Sequence, residues 1–180
     1  MRSASKAGAV IAETARLTIR EVTVGDASFI CRLLNEPSWL QNIDDRGVRT
    51  IADAQSYIES RVIRSYQLTG FGMYLVELTH QSLPIGTCGL VKREALPLPD
   101  LGFAFLPQFW GQGYAREAAC AMVQHAREHL RIPKLLGIVK PDNERSCRLL
   151  EALGFALEGT FRPDLQAQEL QLYAVDFRDG

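Results

Sequence analysis

The strongest signal in the chain lies in residues 106–116, which read LPQFWGQGYAR. A predicted strand ends at Leu106, two glycines follow at Gly111 and Gly113, and a strong helical pattern begins at Tyr114. Glycine allows a positive φ and lets the backbone approach a ligand closely. The first turn of a helix adds unpaired N–H groups and the positive end of its dipole. Together these features favour a phosphate site, the alternative being a tight turn without a ligand.

Two common phosphate motifs do not fit this loop. A Walker loop requires Lys followed by Ser or Thr after its last glycine, and here Tyr114 and Ala115 follow. A dinucleotide fingerprint requires a third glycine and an acidic residue on a later strand, and both are missing.

A second polar junction lies in residues 141–155, which read PDNERSCRLLEALGF. Asn143 and Ser146 begin a predicted short helix directly after an apolar strand over residues 134–140. In open α/β sheets, ligands lie at the carboxyl ends of the strands. We therefore expect one elongated ligand to bridge the two junctions, although a helix cap is the alternative role for Asn143.

The remaining patterns place these junctions in a mixed α/β (α+β) fold. The predicted order is a strand, two helices, three strands, a helix, a strand, a helix and two closing strands. The strand–helix–strand run over residues 101–140 implies a parallel or splayed crossover. The element ranges are strand 17–22, helices 23–36 and 50–70, strands 71–78, 85–92 and 101–106, helix 114–130, strand 134–140, a short helix that starts at 141–143 and stops at Gly154, and strands 155–161 and 170–177.

Composition limits the partners. The 180 residues suit one domain, 47% of them are hydrophobic, and the formal net charge is −1. A charge this small implies no broad attraction to nucleic acid or to a membrane surface. No apolar run reaches about 18 residues, so no membrane span is expected.

The chain start and the cysteines bear on organisation and location. Met1 to Thr14 is small and polar, so we expect a loose leader over residues 1–14 and a single domain over 15–180. The four cysteines form no Cys-x-x-Cys pair, which favours reduced thiols in a cytoplasmic protein. Cys147 as a catalytic thiol is an alternative, but no base lies near it in sequence.

Taken together, the two junctions resemble the GNAT superfamily of N-acetyltransferases from about Ala15 to Phe177. The superfamily loop pattern, Gln/Arg-x-x-Gly-x-Gly/Ala, falls on Trp110, Gly113 and Ala115, with Trp110 replacing the usual Gln or Arg. A literal match from Gln108 starts the helix two residues out of place. The motifs NxxS at 143–146, LGF at 153–155 and LLNEP at 33–37 look like the branch that includes ribosomal-protein N-terminal acetyltransferases.

The resemblance implies a fold and a cofactor. The expected fold is a single GNAT-like domain with a mixed, mostly antiparallel sheet, splayed at its central parallel strands, and helices on both faces. The expected co-substrate is acetyl-CoA, without a metal. The residues implied to bind it are Phe103, Ala104, Phe105, Leu106, Trp110, Gly111, Gln112, Gly113, Tyr114, Ala115, Arg116, Asn143 and Ser146.

The catalytic groups are less well defined by the resemblance. Many GNAT enzymes carry a Tyr that protonates the leaving thiolate, and that position here is Leu150. Ser146 or water is the expected substitute. We take Asp100 as the candidate base, with Glu94 second, and expect a backbone N–H near Phe105 to stabilise the oxyanion.

The acceptor is expected to be a small-molecule or peptide amine, bound by a protein that is a monomer or a homodimer. The predicted acceptor segment is the irregular stretch 37–49, with candidates Trp39, Asp44, Asp45, Arg46 and Arg49. A CoA-binding GNAT module without catalysis is the main alternative.

A zinc site is a further alternative. Residues 125–129 read HAREH and match His-x-x-Glu-His, which places His125 and His129 one helical turn apart. A catalytic zinc site needs a third protein ligand, and His80 is the only other histidine.

Overall fold

The computed structural model describes residues 8–178. Its strands form one sheet in the order β1-β2-β3-β4-β5-β6-β8-β7. Among these strands β5 and β6 are parallel, and every other neighbouring pair is antiparallel. The strands are Val10–Glu13 (β1), Leu17–Arg20 (β2), Met73–Leu78 (β3), Leu83–Val91 (β4), Asp100–Phe105 (β5), Lys134–Val139 (β6), Ala156–Phe161 (β7) and Leu170–Asp176 (β8).

Helices cover both faces of this sheet. Successive side chains of a strand point to opposite faces, and β3 shows the division. Tyr74 and Val76 join the core cluster that contains Met122 of α5, whereas Leu75 joins the cluster formed by the N-terminal helices. The helices are Ala27–Leu34 (α1), Pro37–Asn42 (α2), Ile51–Tyr57 (α3), Arg64–Thr69 (α4), Tyr114–Glu128 (α5) and Glu144–Ala152 (α6), with a π-helical segment, Ile58–Ile63, between α3 and α4.

The central strands separate, as the sequence predicts. The register of β5 with β6 contains one pair, Asp100 with Leu136, beside a bond from the Leu136 N–H to the Pro99 carbonyl. The β4–β5 register, in contrast, runs through the whole of β5. Beyond its first residues, β5 therefore presents an edge that has no strand partner on the β6 side within residues 8–178.

Capping residues define the ends of the N-terminal helices. Thr50 accepts from the Asp53 N–H and Asp53 accepts from the Thr50 N–H, so the two residues form a capping box at the start of α3. Gly70 ends α4 in the left-handed conformation with φ 78°, as predicted. The predicted helix over residues 23–36 is shorter, because a 3₁₀ turn, Val24–Asp26, precedes α1.

Two sequence expectations differ from the structure. Residues 37–49 are not wholly irregular, because Pro37 opens α2; its fixed φ and missing N–H suit the first position of a helix. Part of the expected leader is ordered, since Val10–Glu13 pairs with β2 as an edge strand. The rest of that leader, residues 1–7, lies outside the described residues. No helix within residues 8–178 is long and apolar enough to cross a membrane.

Candidate active site

The glycine loop ends in a row of amides that have no hydrogen-bond partner inside the following helix. Gly111 and Gly113 have φ values of 72° and 81°, and Gly113 directly precedes α5. The first bond of α5 runs from the Glu117 N–H to the Gly113 carbonyl. The amides of the three preceding residues, Tyr114 to Arg116, therefore have no partner inside the helix. This is the backbone geometry that an anion site needs.

The free edge of β5 begins beside this loop. The Leu106 N–H donates to the Ile85 carbonyl of the neighbouring antiparallel chain. Because backbone groups alternate sides along a strand, those of Phe103 and Phe105 point away from β4, towards the splay. Of the predicted coenzyme residues 103–106, Phe103 and Phe105 are therefore the two whose backbone groups face the splay.

Trp110 links the strand, the loop and the opposite wall. Its indole N–H donates to the Phe105 carbonyl at 2.8 Å. The guanidinium carbon of Arg145, in the first turn of α6, lies 4.2 Å from the centre of the indole ring. A cation over an aromatic face is attracted to it. The pair thus joins the β5–α5 connection to the β6–α6 connection across the splay.

The start of α6 contributes two polar side chains to the same cavity. Asn143 accepts from the Ser146 N–H through Oδ1 at 3.3 Å, so it caps the helix. Its Nδ2 group has no hydrogen-bond partner within residues 8–178. Leu150 stands where the resemblance leads us to look for a Tyr. It is 2% exposed and packs on Gly137 of β6, and its side chain has no hydroxyl group that could donate a proton.

A cavity of about 1220 Å³ runs through the splay from the α6 side to α2. One half is lined by residues that the sequence predicts to bind the coenzyme. The other half is lined by residues predicted to bind the acceptor and by the β4–β5 and β7–β8 connections. On the coenzyme side it is lined by Phe103, Ala104, Phe105, Trp110, Ala115, Asn143 and Ser146. On the acceptor side it is lined by Trp39, Asp44, Arg46, Glu94, Asp100 and Asp164, among others.

Asp100 is the buried carboxylate of this cavity. It is 1% exposed, and its Oδ1 accepts from Arg93 Nε at 2.8 Å. Burial raises the pKa of Asp100, and the nearby Arg93 charge opposes but does not cancel that effect. Glu94, the second candidate base, also lines the cavity and is exposed.

The acceptor segment divides into two groups. Trp39, Asp44 and Arg46 line the cavity, whereas Asp45 and Arg49 form an ion pair with each other. Trp39 Nε1 is buried and has no hydrogen-bond partner among the described residues. Buried donors are rarely left unpaired, so we expect a ligand or water to accept from it.

The amide-rich loop and the splayed strands lie in the part of the chain that matches a known protein family. Residues 16–156 match the model of the acetyltransferase (GNAT) domain family. The chain belongs to the GNAT acetyltransferase family. It is therefore an acetyltransferase, and the resemblance stated from the loop motifs is confirmed.

Relatives and solved structures agree with this membership. The chain is 26% identical over 152 residues to a Bacillus licheniformis protein named uncharacterized N-acetyltransferase p20, covering 83% of this chain and 84% of that protein. It matches the ribosomal L7/L12 alpha-N-protein acetyltransferase RimL, solved in complex with coenzyme A, with a TM-score of 0.80, 20% identity and coverage of 93% and 97% of the two chains. The ribosomal-protein-S5-alanine acetyltransferase of Vibrio fischeri gives a TM-score of 0.75 at 17% identity, covering 93% and 97%. At these identities the structural matches show the GNAT fold.

The histidine motif of this GNAT domain lies at the C-terminal end of α5, with His129 as the helix cap, and does not line the cavity. The rings of His125 and His129 stack, with centroids 5.1 Å apart and planes 21° apart. Within residues 8–178, no group of three or more His, Cys, Asp or Glu residues is arranged to hold a metal ion.

Three arginines near the site have no counterpart in the sequence expectations. Arg93 pairs with Asp100, Arg145 covers Trp110, and Arg16 contacts the glycine loop. Arg93 lies seven residues before Asp100, across the β4–β5 connection, and this spacing is not typical of any motif that would predict the ion pair. Arg16 lies 96 residues before Gln112 in the chain, and no local pattern connects the two.

Proposed function

We propose that this GNAT protein transfers the acetyl group of acetyl-CoA to a primary amine by direct attack in a ternary complex. The observation that carries the proposal is the continuous path through the splay. It leads from the start of α5, where Ala115 lines the cavity, to a buried carboxylate, Asp100, through a volume of about 1220 Å³. Both substrates then meet without a covalent enzyme intermediate.

The coenzyme half suits a long ligand with a charged end. The amides over residues 112–116 would hold the pyrophosphate, at the positive end of the α5 dipole. The free backbone edge at Phe103 and Phe105 would hydrogen-bond the pantetheine arm. The Nδ2 group of Asn143, whose Oδ1 already caps α6, would donate to the same arm. The coenzyme supplies an activated acetyl thioester.

The chemistry requires the amine nitrogen to lose two protons and the leaving sulfur to gain one. A protonated amine must lose a proton before its nitrogen attacks the acetyl carbon, and we assign that proton to Asp100, directly or through water. The Phe105 N–H would stabilise the oxyanion. Formation of the C–N bond gives a tetrahedral intermediate, whose nitrogen passes its second proton to water. As the oxyanion re-forms the carbonyl, the C–S bond breaks, and the leaving sulfur takes a proton from Ser146, which regains one from water, or from water directly.

The acceptor half suits an amine. Asp44, Glu94 and Asp164 line it together with Asp100, so carboxylates face a substrate that arrives positively charged. Two cations in that half, Arg46 and Arg93, are each within ion-pair distance of an aspartate, Asp44 and Asp100, and a third, Lys140, donates to the Gln41 carbonyl. Both small-molecule amines and peptide amines are compatible with this cavity.

The test combines coenzyme binding with turnover. Calorimetry measures the binding of CoA, and release of free thiol measures acetyl transfer to a panel of amino acids, polyamines and peptides with free N-termini. We expect CoA to bind and at least one amine to be acetylated, with the product verified by mass spectrometry. Binding of CoA without turnover on any amine would support the non-catalytic module instead.

A further inference from the structure

Arg16 contacts the glycine loop from the turn between β1 and β2. Its Nη1 donates to the Gln112 carbonyl at 2.9 Å. Its Nε and Nη2 both lie 2.7 Å from Oε2 of Glu117, in the first turn of α5. The guanidinium carbon also lies 4.4 Å from the centre of the Tyr114 ring. One side chain therefore contacts the loop and the start of the helix together.

The Gln112 contact determines where the next amide points. A trans peptide is planar, and its C=O and N–H groups point in opposite directions. Because the Gln112 carbonyl points at Arg16, the N–H of Gly113 points away from Arg16. Arg16 thereby holds this peptide with its donor on the side opposite the guanidinium.

Gly113 shows how closely the guanidinium packs on the loop. A Cβ atom placed on Gly113 would lie 3.3 Å from Nη2 of Arg16, a tighter approach than most side chains make. The same atom on Gly111 would meet no atom within 4 Å. The guanidinium thus fills the space behind Gly113, and the other face of the loop is left for a ligand.

Glu117 fixes Arg16 in place. Its Oε1 accepts from Thr14 Oγ1 at 2.6 Å and from the Arg16 N–H at 3.0 Å. Burial alone would raise the pKa of Glu117, but the hydrogen bonds from Thr14 and Arg16 outweigh it and lower the pKa. A charged Glu117 balances the Arg16 charge, so the pair acts on the loop through geometry more than through net charge.

We propose that Arg16 is a positioning residue for the coenzyme: it orients the Gln112–Gly113 peptide so that the loop amides are presented to the pyrophosphate. This inference rests on the proposed coenzyme site. A bidentate guanidinium is required, since one ammonium group does not match the spacing of the Gln112 carbonyl and the Glu117 carboxylate.

The experiment compares Arg16→Lys with Arg61→Lys, the same change at an exposed arginine on the π-helical segment. Two donors are used with one acceptor amine: acetyl-CoA, and S-acetyl-pantetheine, which lacks the pyrophosphate. Thermal unfolding of each variant checks that it folds.

We expect Arg16→Lys to raise the KM for acetyl-CoA roughly tenfold with kcat nearly unchanged, as loss of a binding interaction predicts. Its kinetics with S-acetyl-pantetheine should match those of the wild type. The Arg61→Lys variant should have unchanged KM and kcat with both donors. An unchanged KM for acetyl-CoA, or equal losses with both donors, would overturn the inference. Failure of the wild type to bind CoA would instead refute the coenzyme site itself.

Discussion

The indole N–H of Trp110 donates to the carbonyl oxygen of Phe105, five residues earlier in the chain. The bond occupies one group of the free β5 edge and leaves the Phe105 N–H and the backbone of Phe103 facing the splay. Arg145 covers the same indole ring from α6. A Trp at the place where the superfamily pattern has Gln or Arg therefore shapes the edge along which the coenzyme is proposed to lie.

Replacing Trp110 by Phe keeps an aromatic ring and removes the N–H donor. The Phe105 carbonyl then loses its partner, and the edge is less well ordered. One hydrogen bond is worth about 1 kcal/mol, so we expect the KM for acetyl-CoA to rise roughly three- to tenfold. Steady-state kinetics with acetyl-CoA as the varied substrate measure this effect.

Trp39→Phe is the matched control, because it makes the same change in the acceptor half of the cavity. We expect it to leave the KM for acetyl-CoA unchanged and to alter only the acceptor kinetics. Equal effects of both variants on acetyl-CoA would argue against the role of Trp110.

Two glycine substitutions separate backbone strain from crowding. Gly111→Ala and Gly113→Ala both force a side chain into the left-handed region, which costs about 1 kcal/mol or more of stability each. Only the Cβ at position 113 approaches Arg16. Both variants should lower the unfolding free energy similarly, while Gly113→Ala should weaken CoA binding more. Calorimetry measures CoA binding, and denaturant unfolding measures stability. A larger loss of CoA affinity for Gly111→Ala than for Gly113→Ala would contradict this assignment.

Asp100→Asn tests the proposed base. A base acts when deprotonated, so the wild-type kcat/KM should rise with pH through the pKa of Asp100, which burial places above the ordinary value. The Asn variant should lose this acidic limb and about a hundredfold in rate. Glu94→Gln is the competing variant: loss of the limb there, with an unchanged profile for Asp100→Asn, would assign the base to Glu94.

His125 predicts a pH dependence of stability. Burial lowers its pKa from the ordinary 6.5, and the charge of His129 lowers it further. The unfolded chain then binds a proton more readily than the folded one, so unfolding free energy falls as pH drops below about 6.5 towards the folded pKa. The His125→Gln variant does not lose stability in this way. The difference in unfolding free energy between the wild type and this variant should therefore shrink as the pH falls. A gap that stays constant between about pH 8 and pH 5 would contradict the prediction.

The sequence predicted those parts of the site that depend on local patterns. The two glycines, the helix that begins at Tyr114 and the polar start of α6 are each encoded within about fifteen residues, and all three appear in the structure as predicted. The splay was implied by the crossover between β5 and β6 and by the family resemblance, and the register shows it.

Tertiary contacts account for the differences. The sequence predicts a helix that stops at residue 36, before Pro37, whereas in the structure Pro37 opens the next helix, α2; proline suits both positions. Val10–Glu13 carries few large apolar residues and becomes a strand because β2 offers a free edge. Arg16, Arg93 and Arg145 acquire their roles from partners on other elements, which no periodicity reveals.

The most direct measurement for direct acetyl transfer is the initial-velocity pattern with acetyl-CoA and one acetylated amine varied together. The account predicts intersecting double-reciprocal lines, because both substrates must occupy the splay and the cavity before the thioester is cleaved. Parallel lines, with an acetylated enzyme detected in the absence of the amine, would contradict it.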